Sequence, residues 1–212
     1  MAAASDLPSV GQRIREERIR RGVSLRALAG EVGVSASMIS QIENGKSQPS
    51  VSTLYAITSA LGISIQEVFD TPLTEPAERA VSAVGLPTTV LEALGSSRGR
   101  RIGPIVRLKE RQALTLDTGV IWERLGELPP HSIDFMLVTY PPGGTSSSTG
   151  GLMRHPGIEF GYLISGELIL TLGFDEVHLG PGDAISFEST EPHSYRNNGT
   201  EPAVGVWFVV ES

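Results

Sequence analysis

Apolar positions in the N-terminal part of the chain recur at helical spacing. Leu25, Leu28, Ala29 and Val32 share one face, as do Met38, Ile39 and Ile42, and then Leu54, Ile57, Ala60 and Leu61. Ser24, Ser35 and Ser64 stand at N-cap positions, Pro49-Ser50 opens a segment, and Gly22, Gly33 and Gly62 stop segments. The pattern predicts an arginine-rich helix over 9–21, then helices beginning at Ser24, Ser35 (ending near Asn44-Gly45), Pro49-Ser50 and Ser64, the last running to Phe69. Five short helices form a compact bundle. From residue 105 the texture changes to short apolar runs between turn residues. Strands are predicted at 105–108, 114–116, 120–125, 134–140, 159–164, 167–172, 176–179, 184–187, 193–197 and 203–210. Turns fall at Pro141-Pro142-Gly143-Gly144, Ser165-Gly166, Gly173, Gly180-Pro181-Gly182 and Asn198-Gly199. Many short strands at even spacing predict a β-sandwich or barrel. Residues 145–151 are small and polar and are expected to form a mobile loop.

The chain therefore reads as multidomain, α then β. A tail covers 1–8, a helical domain 9–71, a connector 72–103 with a basic knot at Arg98, Arg100 and Arg101, and a β domain 104–212. A length of 212 residues suits two small domains, and 40% hydrophobic with 19% charged residues excludes a fully disordered chain. There is no cysteine, which excludes disulfide scaffolds and thiolate metal sites. No apolar run is long enough to span a membrane, and the N-terminus does not read as a secretory signal. A cytoplasmic protein with no membrane partner is expected.

The net charge of −7 argues against a uniformly basic nucleic-acid binder. Its distribution changes that reading. Up to Thr71 there are seven basic and seven acidic residues, and after it ten and seventeen. A neutral head precedes an acidic body that would repel DNA.

The segment from Ser24 to Asn44 has the order of a helix-turn-helix: capped helix, glycine turn, capped helix. Ala29 is small where two helices cross. Val34 and Ile39 plug the angle. With Ile39 and Ile42 pointing inward, Ala36, Ser37, Met38, Ser40 and Gln41 remain for a major groove, and the Gln41 amide can read adenine or bind a phosphate. Asn44, Lys46 and Ser50 follow where backbone phosphates would lie, and Ser24, Arg26 and Ser35 complete the expected DNA contacts. Arg13, Arg15, Arg18, Arg20 and Arg21 read as a solvated helix face, paired with Glu16 and Glu17. The run VSLRALAGEVGVSASMISQIENGKSQPSVSTLYAITSALGIS resembles the phage-repressor/Cro (XRE-type) DNA-binding domain over residues 9–71. Leu25 stands where that family often has a phosphate-contacting glutamine.

In the β domain His155, Glu159 and His193 are candidate divalent-metal ligands. Pro156-Gly157 forces a turn between the first two. The stretches RHPGIEFGYLISGELILTL and LGPGDAISFESTEPHSYRNNG resemble the two motifs of the cupin family, with Gly166, Gly182, Asp183, Pro192-His193 and Asn197 at family spacing. The resemblance implies a double-stranded β-helix barrel, often with one metal ion. Met153 stands where the first histidine of the pair would be, leaving three ligands for Zn, Ni, Mn or Fe. Met136, Met153, Phe160, Tyr162, Phe187, Tyr195 and Trp207 are the expected lining of a ligand pocket. Arg124 and Arg154 are candidate anchors for a carboxylate ligand, with surface exposure the plainer reading of both.

The order of domains resembles a widespread group of bacterial transcription regulators. The resemblance implies a homodimer on a palindromic operator, a repressor whose cupin barrel binds a small-molecule effector or metal, and no enzymatic activity. The alternative is a metal-dependent cupin enzyme, isomerase or dioxygenase, with an autoregulatory DNA-binding head.

Overall fold

The computed structural model describes residues 10–69, 105–126 and 133–210, and the expected tail 1–8 and connector 72–103 lie outside them. The N-terminal part consists of α1 (Val10–Arg20), α2 (Leu25–Val32), α3 (Ala36–Glu43), α4 (Val51–Leu61) and α5 (Ile65–Phe69). Ser24, Ser35 and Ser50 each accept from a backbone N–H of their helix's first turn, at 3.1, 3.1 and 3.2 Å. Ser64 and Glu67 bond reciprocally across the start of α5. Gly33 ends α2 at φ +77, a left-handed conformation that turns the chain into α3 at little steric cost. Ile14, Leu28, Ile39, Leu54 and Ile57 are completely buried and, with Ile65 of α5 at 1% exposure, form the core of the five helices.

Helix α1 approaches α3 at its backbone. A Cβ at Gly11 would lie 1.8 Å from the Ile42 carbonyl oxygen, so glycine is required there. The arginines of α1 are not a uniform solvated face. Glu17 is only 5% exposed and gathers Arg13, Arg20 and Arg21. Arg18 leaves the helix to grip Glu43 on α3 with Nε and Nη2, at 2.5 and 2.8 Å.

The β domain contains β1 (Ala113–Thr115), β2 (Ile121–Gly126), β3 (Ile133–Tyr140), β4 (Ile158–Ser165), β5 (Leu168–Leu172), β6 (Asp175–Leu179), β7 (Ala184–Glu188), β8 (His193–Arg196) and β9 (Ala203–Val210). They form two antiparallel sheets, ordered β1-β2-β3-β9-β4-β7 and β6-β5-β8. Tyr195 of the small sheet meets Trp207 and Tyr140 of the large one across the interior, at centroid distances of 5.7 and 6.0 Å. Two expectations fail here. Residues 105–107 have no regular structure and Leu108–Glu110 form a 3₁₀ turn in place of the strand at 105–108. Ile105 and Leu108 are exposed and pair with no strand among the described residues. The loop at 145–151 does pack at its start. Thr145 bridges to Arg196, and Ser146 and Ser147 are buried. Their hydroxyls explain it: Ser146 Oγ accepts from the Tyr195 N–H at 2.9 Å, and its own N–H donates to Tyr195 O. Small polar side chains pack well where they satisfy buried backbone.

The helical head sits against the barrel. Ser52 N–H donates to Ser146 O at 2.9 Å and Asp117 N–H donates to Pro49 O at 2.9 Å. Gln66 Nε2 on α5 donates to Ile133 O and Asp134 Oδ1, and Gln112 Nε2 donates to Phe69 O. These bonds place α4 over one end of the barrel.

Candidate functional site

On the head, Ile39 and Ile42 turn inward and Ser37 and Gln41 stand exposed on the opposite side of α3. Ser24, Arg26, Ser35 and Lys46 are exposed around them, and Ser40 is half-buried. Ala36 and Met38 are half-buried and pack partly on the core. Asn44 folds its amide back onto Ser40 O at 2.7 Å, closing the end of α3. Ser50 departs from expectation. It is 2% exposed, and its hydroxyl is held by the start of α4 rather than offered to a phosphate.

In the barrel, strand alternation decides which side chains meet. On β4 the inward residues are Glu159, Gly161 and Leu163, while Phe160 and Tyr162 are 43% and 51% exposed on the outer face. Phe160 and Tyr162 are therefore not pocket residues. Gly161 lies opposite Trp207, and a Cβ there would stand 2.9 Å from the indole and from Ile185. Its absence lets the indole lie flat across β4 and reach Glu159.

Glu159 is the centre of the constellation. Its Oε1 accepts from the Tyr195 hydroxyl at 2.5 Å and from Trp207 Nε1 at 3.0 Å. Its Oε2 faces His155 Nε2 at 3.4 Å and His193 Nε2 at 3.5 Å. Each histidine uses Nδ1 on a carbonyl, His193 on Glu191 O at 2.8 Å and His155 on Pro156 O at 3.2 Å. That leaves both Nε2 atoms buried and without a hydrogen-bond partner. Burial alone would push the Glu159 carboxyl up, but close contact with His155 and His193 and the Tyr195 bond outweigh it and hold the pKa at about 2. Burial and the Glu159 charge push the Tyr195 hydroxyl well above the usual phenol range, so it remains a donor.

One donor atom from each of His155, Glu159 and His193 lies within 4.8 Å of the others. Two imidazoles oriented through Nδ1 and a carboxylate oriented through its second oxygen fit a divalent metal ion. Held there, such an ion would act as a Lewis acid toward an incoming oxygen donor. Met153 pairs with His193 by two backbone bonds and lines the same cavity, and its thioether would be a poor ligand for a hard divalent ion.

The cavity beside this group is lined from the barrel by Trp122, Met136, Val138, Tyr140, Met153, Glu159, Tyr195, Trp207 and Val209. Of the expected lining, Met136, Met153, Tyr195 and Trp207 are there. Phe187 instead packs edge-on to His193 at 4.9 Å. Arg124 is 1% exposed but lies off the cavity, bonded to Gln112 and near the Phe69 ring; Arg154 is exposed. Two lining residues come from the head: Val51 and Tyr55 of α4. Tyr55 lies parallel on the His155 ring, with centroids 3.9 Å apart and planes 3° apart, and edge-on to Trp122 at 5.8 Å. The sequence does not single out this contact, because Val51 and Tyr55 read as further apolar residues of a bundle helix.

A head of this geometry followed by a barrel of this topology is the domain order of XRE-type helix-turn-helix transcriptional regulators with a C-terminal cupin domain, and the chain carries both domains in that order. Residues 14–68 match the helix-turn-helix family and residues 136–209 the cupin domain family. Over 187 residues the chain is 29% identical to the HTH-type transcriptional regulator PuuR of Escherichia coli, covering 88% of this chain and 86% of that protein. It is 25% identical over 191 residues to the HTH-type transcriptional regulator SutR of Escherichia coli, covering 89% and 86%. The crystal structure of a helix-turn-helix family transcriptional regulator from Vibrio cholerae superimposes with a TM-score of 0.62 at 23% identity, covering 96% of this chain and 95% of that one.

Proposed function

We propose that this regulator is a cytoplasmic, homodimeric repressor that reads a palindromic operator and answers to a small-molecule effector or metal bound in its barrel. Within this reading the domains divide at 9–71, 72–103 and 104–212. The observation that carries the DNA-binding part is the exposure of Ser37 and Gln41 on a helix whose other face is completely buried at Ile39. Short polar side chains on a rigid, protruding helix are what a major groove admits. Lys46, Arg26 and the hydroxyls of Ser24 and Ser35 are available to phosphates, whereas Ser50 in this docked arrangement is not.

A second copy is supported by the outer face of the large sheet. Ile158, Phe160, Tyr162, Ile164, Phe208 and Val210 are all more than a third exposed on adjacent strands β4 and β9, and Phe135 stacks on Phe208 at 4.3 Å. An apolar face of that extent on a regulator that needs twofold symmetry favours self-association. We read the His155–Glu159–His193 centre as a binding site rather than a catalytic one. Its one carboxylate is committed on both oxygens, to Tyr195 and Trp207 on one side and to the histidines on the other. Among the described residues, the cavity is lined by no carboxylate or imidazole outside that centre that could serve as a separate base.

The test is a fluorescence-anisotropy titration of DNA upstream of the protein's own gene, using the full chain and a Ser37→Ala/Gln41→Ala variant. Each lost base contact removes about 1–3 kcal/mol, so the double variant, losing two, should bind at least about thirtyfold more weakly. Wild-type affinity should fall steeply with salt, because each phosphate the protein neutralises releases condensed counterions on binding. Equal affinity of the two proteins, or no salt dependence, refutes the reading.

A further inference from the structure

The barrel's site is closed by the head. Val51 and Tyr55 of α4 form the wall of the cavity facing Trp122 and His155, and both are almost completely buried. With Tyr55 in place the cavity measures about 20 Å³, room for about one water molecule. No organic ligand can share it with the Tyr55 ring. The rest of the wall cannot yield easily, because Met136, Val138 and Trp207 sit on β3 and β9, which pair continuously over eight positions. Among the described residues the head is held by the Ser52–Ser146, Asp117–Pro49, Gln66–Ile133/Asp134 and Gln112–Phe69 hydrogen bonds and by the packing of Val51 and Tyr55, all of which can be released without unpairing a strand. Lifting α4 is therefore the least costly route into the site.

We propose that the DNA-binding head is the lid of the barrel's ligand site, so that a ligand in the cavity and a docked α4 exclude one another. The inference rests on the reading of His155, Glu159 and His193 as a metal-binding group. The ligand class follows from what Tyr55 covers: a small molecule with an oxygen donor for the ion and an apolar body to lie against Trp122, Met136 and Val138. Such a ligand displaces Tyr55, breaks the Ser52–Ser146 and Asp117–Pro49 bonds and frees the head. By linkage, anything that holds the head docked weakens the ligand by the same factor. The direction is fixed: an empty site keeps the head docked, and a filled one releases it.

The test uses the full chain with Co²⁺ as metal and acetohydroxamate as the oxygen-donor probe. Cobalt uptake is followed by visible absorption, acetohydroxamate binding by the change in that spectrum, and docking by hydrogen exchange at the Ser52 and Asp117 amides. Tyr55→Ala should bind acetohydroxamate at least tenfold more tightly than wild type. Gln66→Ala, which leaves both cavity and core lining intact, should bind it severalfold more tightly and serves if Tyr55→Ala fails to fold. In the wild type, saturating probe should raise exchange at both amides. Cobalt uptake with equal probe affinity in all three proteins, or with exchange unchanged at saturation, overturns the lid and leaves the metal site standing. Absence of cobalt uptake in every form overturns both.

Discussion

Replacing Arg18 by alanine would leave a carboxylate buried without its cation. The Glu43 side chain is 3% exposed and that of Arg18 12%. The guanidinium makes both of its fork bonds to Glu43, and Nη1 also donates to Val23 O at 2.9 Å. Glu43 is the last residue of α3, where the helix's own carbonyls already concentrate negative charge. Breaking one side of such a pair typically costs about 3–5 kcal/mol. The bundle spans residues 10–69, and a domain of that size has about 3–9 kcal/mol in all at the usual stability per residue. Arg18→Ala should thus remove a third or more of the head's stability, while Arg18→Met with Glu43→Leu, which removes both charges, should be near neutral. Two probes separate the domains in a urea titration. Far-ultraviolet ellipticity follows helices α1–α5, and the emission of Trp122 and Trp207, the chain's two tryptophans, follows the barrel, with an early step from Trp122 as Tyr55 leaves it. The helical midpoint should fall sharply in the single variant and recover in the double one. A single variant within about 0.5 kcal/mol of wild type, the range of an ordinary surface change, would refute the account of a desolvated pair.

Two further outcomes follow from the barrel. Gly161→Ala places a Cβ 2.9 Å from Trp207 and Ile185, so it should pull the indole off Glu159 and lower the tryptophan-monitored unfolding midpoint by the equivalent of about 1–3 kcal/mol; an unmoved midpoint would show that the interior is looser than described. Phe160→Lys puts a charge in the centre of the outer apolar face and should convert a dimer to a monomer in sedimentation while the monomer keeps its native far-ultraviolet ellipticity, whereas a dimer that persists would locate the subunit contact elsewhere.

Local chemistry was readable from the sequence because it is encoded locally. Ser24, Ser35 and Ser64 mark helix starts by their own hydroxyls, and Gly33 and Gly62 mark stops by their own φ. The same holds for the strands bounded by Gly166, Gly173 and Gly182. Register was harder. Glu159 and Tyr162 are three residues apart on one strand and cannot face the same side, so an inward Glu159 already excludes Phe160 and Tyr162 from the pocket. Applying that alternation would have selected Gly161 and Leu163. The failed strand at 105–108 shows the converse, since apolar residues alone do not supply a partner. Contacts between the halves were hidden for a further reason. Tyr55 reads as one more apolar residue of a bundle helix until the barrel brings His155 beneath it.

The joint between head and barrel is made partly of main chain. Ser52 N–H to Ser146 O and Asp117 N–H to Pro49 O depend on backbone atoms that most substitutions leave in place. The cavity wall is the opposite case, with Trp122, Met136 and Val138 present only as side chains. Substitution can therefore change what the barrel recognises while the hinge survives. Divergence among chains built on this plan would fall on the chemical message and spare the wiring that carries it.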